Sequence, residues 1–327
     1  MKIYRTNGDG RFDIDVQELQ ESEKIKVRVT HVMPTASDVN IFGGDSSTTY
    51  PFVIGHSAIG VVSDDRPEFG LKRGEKIIIN PYGTKIVKSD EEDVMTAGVD
   101  IDGYMREFAY VEREEITVFP DDVTEKEAIF AEKIADALKA LNSFSLDKGQ
   151  YVVIVGGDAT CNILAQLAMY FQLIPILVDS NAANLALAEK CGIYYTVNAT
   201  KESAAAKIAE ITCGKMAEMS VLYMDTERAP SLTFSMTKQG GKCVIICGNK
   251  ILKAFDADVS AISRRRLQVC GVNNGAAEFK SAVNILAQKI LKLDGFIDKT
   301  VEIKDAEVLL REMLANRERY YSAVIKL

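Results

Sequence analysis

The strongest chemical signal in the chain is a turn. After the apolar run Tyr151–Val155 the sequence reads Gly156-Gly157-Asp158-Ala159-Thr160-Cys161 and then becomes helical. A strand, a glycine-rich turn and a helix are the parts that cradle a pyrophosphate, because glycine lets the backbone close tightly and approach the phosphates. In the full pattern, G-x-G-x-x-G, three glycines serve; here Asp158 and Cys161 replace the second and third. A carboxylate facing a phosphate charge at about 4 Å costs about 4 kcal/mol at an effective dielectric of 20. A helix N-terminus returns only about 0.3 to 1 kcal/mol per charge. With Asp158 turned inward, dinucleotide affinity is severely reduced; with Asp158 turned outward, binding survives. About 20 residues on, IPILVDSN closes a second apolar run with Asp179, an acid placed to suit the ribose hydroxyls of NAD and to repel the extra phosphate of NADP. The alternative for Asp179 is a turn or helix-capping aspartate. NAD is the expected cofactor, with Gly156, Gly157, Asp158 and Asp179 around it.

Metal and thiol chemistry have fewer candidates. The six cysteines are Cys161, Cys191, Cys213, Cys243, Cys247 and Cys270, so the first 160 residues hold none. They sit among apolar or helical residues, Cys243 and Cys247 within KCVIIC, and read as buried reduced thiols rather than a disulfide framework. There are two histidines, His31 and His56; His31 falls in a strand pattern and is expected to be structural. Arg264-Arg265-Arg266 reads as a solvated loop before a strand rather than a phosphate site.

At 327 residues, two domains are expected from a prior of about 150 residues each. Lysine plus arginine against aspartate plus glutamate, 39 − 47, gives a net charge of −8, which argues against nucleic acid or an anionic membrane as partner. The start, MKIYRTNGDGRF, lacks the apolar core of a secretory signal, and no stretch approaches the roughly 20 apolar residues of a membrane span. A cytoplasmic protein is expected.

Patterns up to about residue 120 are short and strand-like: residues 24–32, 59–63, 75–80 and 107–111, punctuated by Gly43, Gly44, Gly70, Gly74 and Pro81. They read as an irregular all-β module. Residues 84–102 are acidic and aperiodic, an exposed excursion with room for one short helix. From Thr124 a helical stripe carries Ala128, Ile129, Ala131, Ile134, Ala135, Leu138 and Leu141. Six apolar strands then alternate with helices, which implies a doubly wound parallel sheet of the dinucleotide-binding type. A final helix is expected over 276–293. The terminal SAVIKL has no place in that sheet, which leaves it able to return to the N-terminal module.

The order of motifs resembles the medium-chain dehydrogenase/reductase superfamily, in its zinc alcohol and polyol dehydrogenase branch. The likeness runs over nearly the whole chain, through Thr35-Ala36-Ser37-Asp38, Gly55-His56-Ser57, GLKRGEKIIINPYG, DGYMREFAYVEREEITVFPDDVTEKEA and Ala131-Glu132-Lys133. It implies a GroES-like β-rich catalytic domain over 1–123 and 294–327 and a Rossmann domain over 124–293. By the resemblance, catalytic zinc would be held by a cysteine at position 35, a histidine at 56 and a glutamate near 57 or at 132, with one open position. Here Thr35 and Ser57 stand instead, and a neutral hydroxyl does not replace a thiolate. Zinc is therefore not expected; any metal would have only His56 and Glu132. The four-cysteine structural zinc lobe of relatives would fall within 84–102, which has no cysteine.

The resemblance further implies hydride transfer between NAD(H) and a small hydroxylated or carbonyl substrate in the interdomain cleft. Thr35, Ser37, His56 and Glu132 are the catalytic candidates, with Ser37 placed to relay the substrate's proton, Asp38 a structural acceptor, and Asn40 where relatives carry a relay histidine. A homodimer or homotetramer is implied. The alternative is a non-catalytic dehydrogenase-like binding or assembly protein that has lost zinc and weakened its cofactor site.

Overall fold

The computed structural model describes all residues except 20–21, 45–46, 88–91, 224–228, 247–257 and 317. The chain forms two compact units, one of Met1–Glu132, Val283–Gln288 and Leu293–Leu327, the other of Lys133–Ala282 and Lys289–Lys292.

The first unit opens with an antiparallel ribbon, β1 (Lys2–Arg5) and β2 (Asp13–Val16). β3 (Ile25–Met33) follows, with Ile25, Val27 and Val29 buried on alternate positions and Arg28 exposed, as a half-buried strand requires. α1 (Ala36–Phe42), β4 (Ser57–Val62) and β5 (Lys76–Ile79) come next. β3 pairs antiparallel with β4, and the register shifts between Val29 and His31, so one extra residue lets Val32 rather than His31 continue the buried series. β6 (Thr84–Val87) and β7 (Glu92–Met95) form an antiparallel hairpin where an exposed excursion with a short helix was expected. Thr84, Ile86, Val87 and Val94 favour extended backbone, and Thr96, Ala97 and Val99 just beyond are buried. β8 (Phe108–Val111), β9 (Ile116–Val118) and α2 (Glu125–Ala128) complete this stretch.

α3 (Ala131–Asn142) leads into the second unit. The expected helical stripe is thus broken at Ile129 and Phe130, although its apolar residues remain buried. There follow β10 (Tyr151–Val155), α4 (Ala159–Tyr170), β11 (Ile174–Asp179), α5 (Ala182–Lys190), β12 (Tyr195–Asn198) and α6 (Ala204–Ile211). β13 (Ala217–Tyr223), α7 (Ala229–Met236), β14 (Thr237–Ile246), α8 (Ser260–Arg265), β15 (Gln268–Val272) and α9 (Phe279–Ala287) come after. The strands are parallel in the order β12-β11-β10-β13-β14-β15, the doubly wound sheet that alternating apolar strands and helices predict. α9 ends at Ala287, short of the expected 293.

Arg264 and Arg265 belong to the last turn of α8 rather than to a loop. Arg264 pairs with Asp258 at 2.7 Å and Arg265 donates to the Ser235 and Thr237 carbonyls, so both are structural. Cys161, Cys191 and Cys243 are buried, Cys270 is half-buried and Cys213 is exposed, and none of these five is in a disulfide among the described residues; Cys247 lies outside the described residues.

The chain then returns to the first unit with β16 (Lys299–Glu302), α10 (Ala306–Ala315) and β17 (Ala323–Lys326). β17 pairs antiparallel with β3, Ile325 opposite Val32 and Lys326 opposite His31, giving a sheet ordered β16-β17-β3-β4-β5-β9 with β8 also on β3. Among the described residues, no helix is long and apolar enough to cross a membrane.

Ile325 is fully buried with Ile3, Val32, Phe42, Leu309 and Leu310 in this unit's core, so the C-terminal strand contributes packing as well as pairing. Ile325→Ala should lower the stability of the first unit by about 2 to 5 kcal/mol, measured by urea unfolding followed by circular dichroism.

Candidate active site

Thr35 and Asp38 begin α1 as a capping box, in which the Asp38 carboxylate takes the Thr35 amide at 2.8 Å and the Thr35 hydroxyl at 3.1 Å. The other Asp38 oxygen takes the Gly55 amide at 2.6 Å. Gly55 has φ +97, and a Cβ there would lie 2.9 Å from Val32 Cγ1 and 3.2 Å from the Met105 amide nitrogen, so the turn is closed to larger residues. That turn delivers His56 to the start of β4, beside Asp38.

The His56 ring is gripped on both sides. Nδ1 lies 3.4 Å from Asp38 Oδ2, close enough for charge pairing but outside hydrogen-bond geometry. Nε2 lies 3.6 Å from Glu132 Oε1 and 3.4 Å from Thr35 Oγ1. The second Glu132 oxygen accepts from the Ser57 hydroxyl at 2.9 Å. Asp38 is 0% exposed, His56 3% and Glu132 8%. Burial by itself would push the imidazolium's pKa down, but the Asp38 and Glu132 carboxylates together outweigh it and raise the ring to about 10.

The structure therefore brings together Thr35, His56 and Glu132 from the sequence-derived candidates. Ser37 is buried in the first turn of α1, with no hydrogen bond to the other three among the described residues. Asp38 is the structural acceptor that was expected and also the partner of His56. Ser57, read from sequence only as a missing carboxylate, holds Glu132. His31 is set apart on β3, and burial, assisted by Lys326 and Lys76 against Glu125 and Glu302, pushes its pKa down.

This donor set does not fit zinc. A hydroxyl stands where a thiolate is needed, and among the described residues no three His, Cys, Asp or Glu side chains are arranged to hold a metal ion.

The second unit carries the dinucleotide-type turn. Gly156 has φ +125, and a Cβ on Gly157 would lie 1.9 Å from Asp179 Oδ2 and 2.9 Å from Asn184 Cβ. The Asp179 carboxylate thus lies against Gly157, where a ribose acceptor is wanted, while also accepting from the Ser180 and Asn181 amides and, at 2.8 Å, from the Asn184 side chain. Its turn role and its place at the glycine loop coexist. Asp158 is the N-cap of α4 and takes the Cys161 amide at 2.9 Å. Burial pushes its carboxyl up, with Asp179 adding to the rise and Lys133 and the Cys161 amide opposing it. Lys133, itself buried, was not singled out from sequence. The turn fits a dinucleotide in its glycines and in Asp179, but Asp158 occupies an amide that a phosphate would otherwise use.

With two histidines in the chain, imidazole ¹⁵N spectra resolve the charge state directly. Near pH 8 one ring, assigned by His56→Gln, should be doubly protonated and the other neutral. His56 is raised above its unfolded value near 6.5, so its contribution to stability is complete below that pH and is lost as pH rises through about 10. Thermal unfolding midpoints should fall between pH 7 and 10 in the wild type and vary less in His56→Gln.

The family described as "Alcohol dehydrogenase GroES-like domain" matches residues 21–121, and that described as "Zinc-binding dehydrogenase" matches 160–288. An uncharacterized zinc-type alcohol dehydrogenase-like protein of Haemophilus influenzae is 26% identical, covering 94% of both chains. D-arabitol-phosphate dehydrogenase of Enterococcus avium is 24% identical over 88% of this chain and 86% of its own. The crystal structure of a zinc-binding dehydrogenase from Sinorhizobium meliloti 1021 bound to NADP shares the fold at a TM-score of 0.87 and 18% identity, covering 100% of this chain and 99% of its own. With both domain families matched in order, and relatives similar along almost the whole length, the chain belongs to the medium-chain dehydrogenase/reductase superfamily.

Proposed function

We propose that the chain transfers hydride between NAD(H) and a small hydroxylated or carbonyl substrate of the alcohol or polyol class, and that it does so without zinc. The observation that carries this reading is the buried His56 ring, set between the Asp38 and Glu132 carboxylates, which favour its charged form, with the Thr35 hydroxyl at its edge. A fixed positive donor in a water-poor site stabilises the oxygen anion that develops as hydride moves. The nicotinamide, when bound, supplies or accepts the hydride. In the reducing direction His56 donates to the substrate oxygen and can give up its proton; in the oxidising direction the neutral ring takes it back. Ser37 supplies a further hydroxyl donor, the Thr35 oxygen accepts at the ring's edge while its own proton goes to Asp38, and Glu132 balances the ring's charge.

Asp179 against Gly157 supports NAD over NADP, and the arabitol-phosphate and NADP-bound relatives support the substrate and cofactor classes. The free thiols suit a reducing compartment, so the proposal extends to a cytoplasmic enzyme, working as a homodimer or homotetramer. Asp158 favours a second reading, a non-catalytic binding or assembly protein, because its carboxylate takes the amide at the start of α4.

Calorimetric titration with NADH and NADPH separates the two. NADH should bind more tightly than NADPH, and a screen of polyols and their phosphates should then yield turnover; no binding of either nucleotide at millimolar concentration would overturn the oxidoreductase reading. Asp158→Asn should tighten NADH binding about tenfold or more, since it removes one like charge beside the phosphates. Because the Asp158 carboxyl is shifted upward, wild-type NADH binding should strengthen as pH is lowered toward the range where that carboxyl takes a proton, and the variant should lose that trend.

A further inference from the structure

The mismatch between this cluster and its family's metal chemistry comes down to one side chain. Thr35 Oγ1 and Glu132 Oε1 lie 3.4 Å and 3.6 Å from the same nitrogen, His56 Nε2. These are long for hydrogen bonds but match the edges of a metal tetrahedron. With Zn–N and Zn–O bonds of about 2.0 to 2.2 Å and Zn–S of about 2.3 Å, neighbouring ligands sit about 3.3 to 3.6 Å apart.

The supports around the three groups are also those of a metal centre. Asp38 lies 3.4 Å from Nδ1, on the side from which a carboxylate orients a ligating imidazole, and Ser57 fixes the far oxygen of Glu132 at 2.9 Å. What is missing is an anionic donor at position 35. The threonine hydroxyl keeps its proton and directs it to Asp38 Oδ2 at 3.1 Å.

We propose that Thr35 alone decides what occupies this site: with threonine the cluster is a closed ion-pair and hydrogen-bond network that rejects zinc, and with a thiolate at that position the same scaffold binds it. The inference deepens the zinc-free part of the function proposed above and rests on it. It requires neither cofactor nor substrate, so absence of NADH binding would leave it standing, and its own failure would leave hydride transfer standing.

The test is equilibrium dialysis against zinc, with metal content measured for the wild type, Thr35→Ser and Thr35→Cys. Wild type and Thr35→Ser should stay well below one zinc per chain. Thr35→Cys should reach one per chain and bind at least about 100-fold more tightly. Cobalt should give the variant a thiolate-to-metal absorption band, and zinc should move its His56 ¹⁵N resonances. Because the wild type carries the same exposed Cys213, that thiol's background cancels. Stoichiometric zinc in the wild type overturns the proposal, as does a Thr35→Cys protein of wild-type circular dichroism that binds zinc no better. If Thr35→Cys does not fold, Thr35→Asp, whose carboxylate also caps a helix, takes its place. A folded Thr35→Asp protein without gained zinc affinity is equally fatal.

Discussion

Three ionisable groups are buried together in the first unit, and the rest of the site follows from how their charges are compensated. An isolated carboxylate taken out of water loses several kcal/mol of hydration, so neither Asp38 nor Glu132 could occupy its position alone. His56 lies between them as the shared counter-charge, and backbone amides share the remaining load: Asp38 also takes the Thr35 and Gly55 N–H groups. This is why the start of α1, the left-handed turn at Gly55 and the first residue of β4 are not independent features. Moving any one of them would leave a buried charge without its partner.

The second unit meets a similar constraint with weaker means. Asp158 is offset by one helix-terminal amide and the nearby Lys133, while Asp179 lies on the same side and opposes its ionisation. The result is a turn with the backbone shape of a dinucleotide cradle and an electrostatic character less welcoming to phosphate. Shape and charge disagree here, whereas around His56 they agree. That contrast makes cofactor affinity, rather than fold, the property that separates the catalytic from the non-catalytic reading proposed above.

Much of the architecture was legible because it is written in long apolar runs. The central strands β10, β11 and β13 of the second unit are buried on both faces, so their order along the chain was readable, and the terminal SAVIKL, left over from the parallel sheet, was assigned to the first unit mainly through family likeness. Elements set by tertiary context were not legible. α1 spans Ala36–Phe42, where the sequence patterns assigned no element; its capping box and its packing in the core make it a helix. Residues 84–102 carried charge without period, and their hairpin depends on cross-strand pairing that composition does not encode. In the site, Thr35, His56 and Glu132 were identified through family likeness. The bond from Ser57 to Glu132 joins residues 75 apart in sequence, and no local pattern announces it.

The positions in the cluster are unequally constrained. Asp38 caps α1, anchors Gly55 and pairs with His56, so a change there disturbs backbone and charge at once. Glu132 answers both His56 and Ser57, and His56 is the one cation between two acids. Thr35 has the lightest duties: it begins a helix, a task that serine, aspartate or asparagine performs about as well, and its hydroxyl touches the ring at the outer limit of a hydrogen bond. A site built this way can exchange the chemistry at position 35 while keeping its fold and its buried ion pairs. On the proposals above, the same geometry accommodates a metal-ligating or a purely hydrogen-bonding residue there, and the cation at the site follows from that choice.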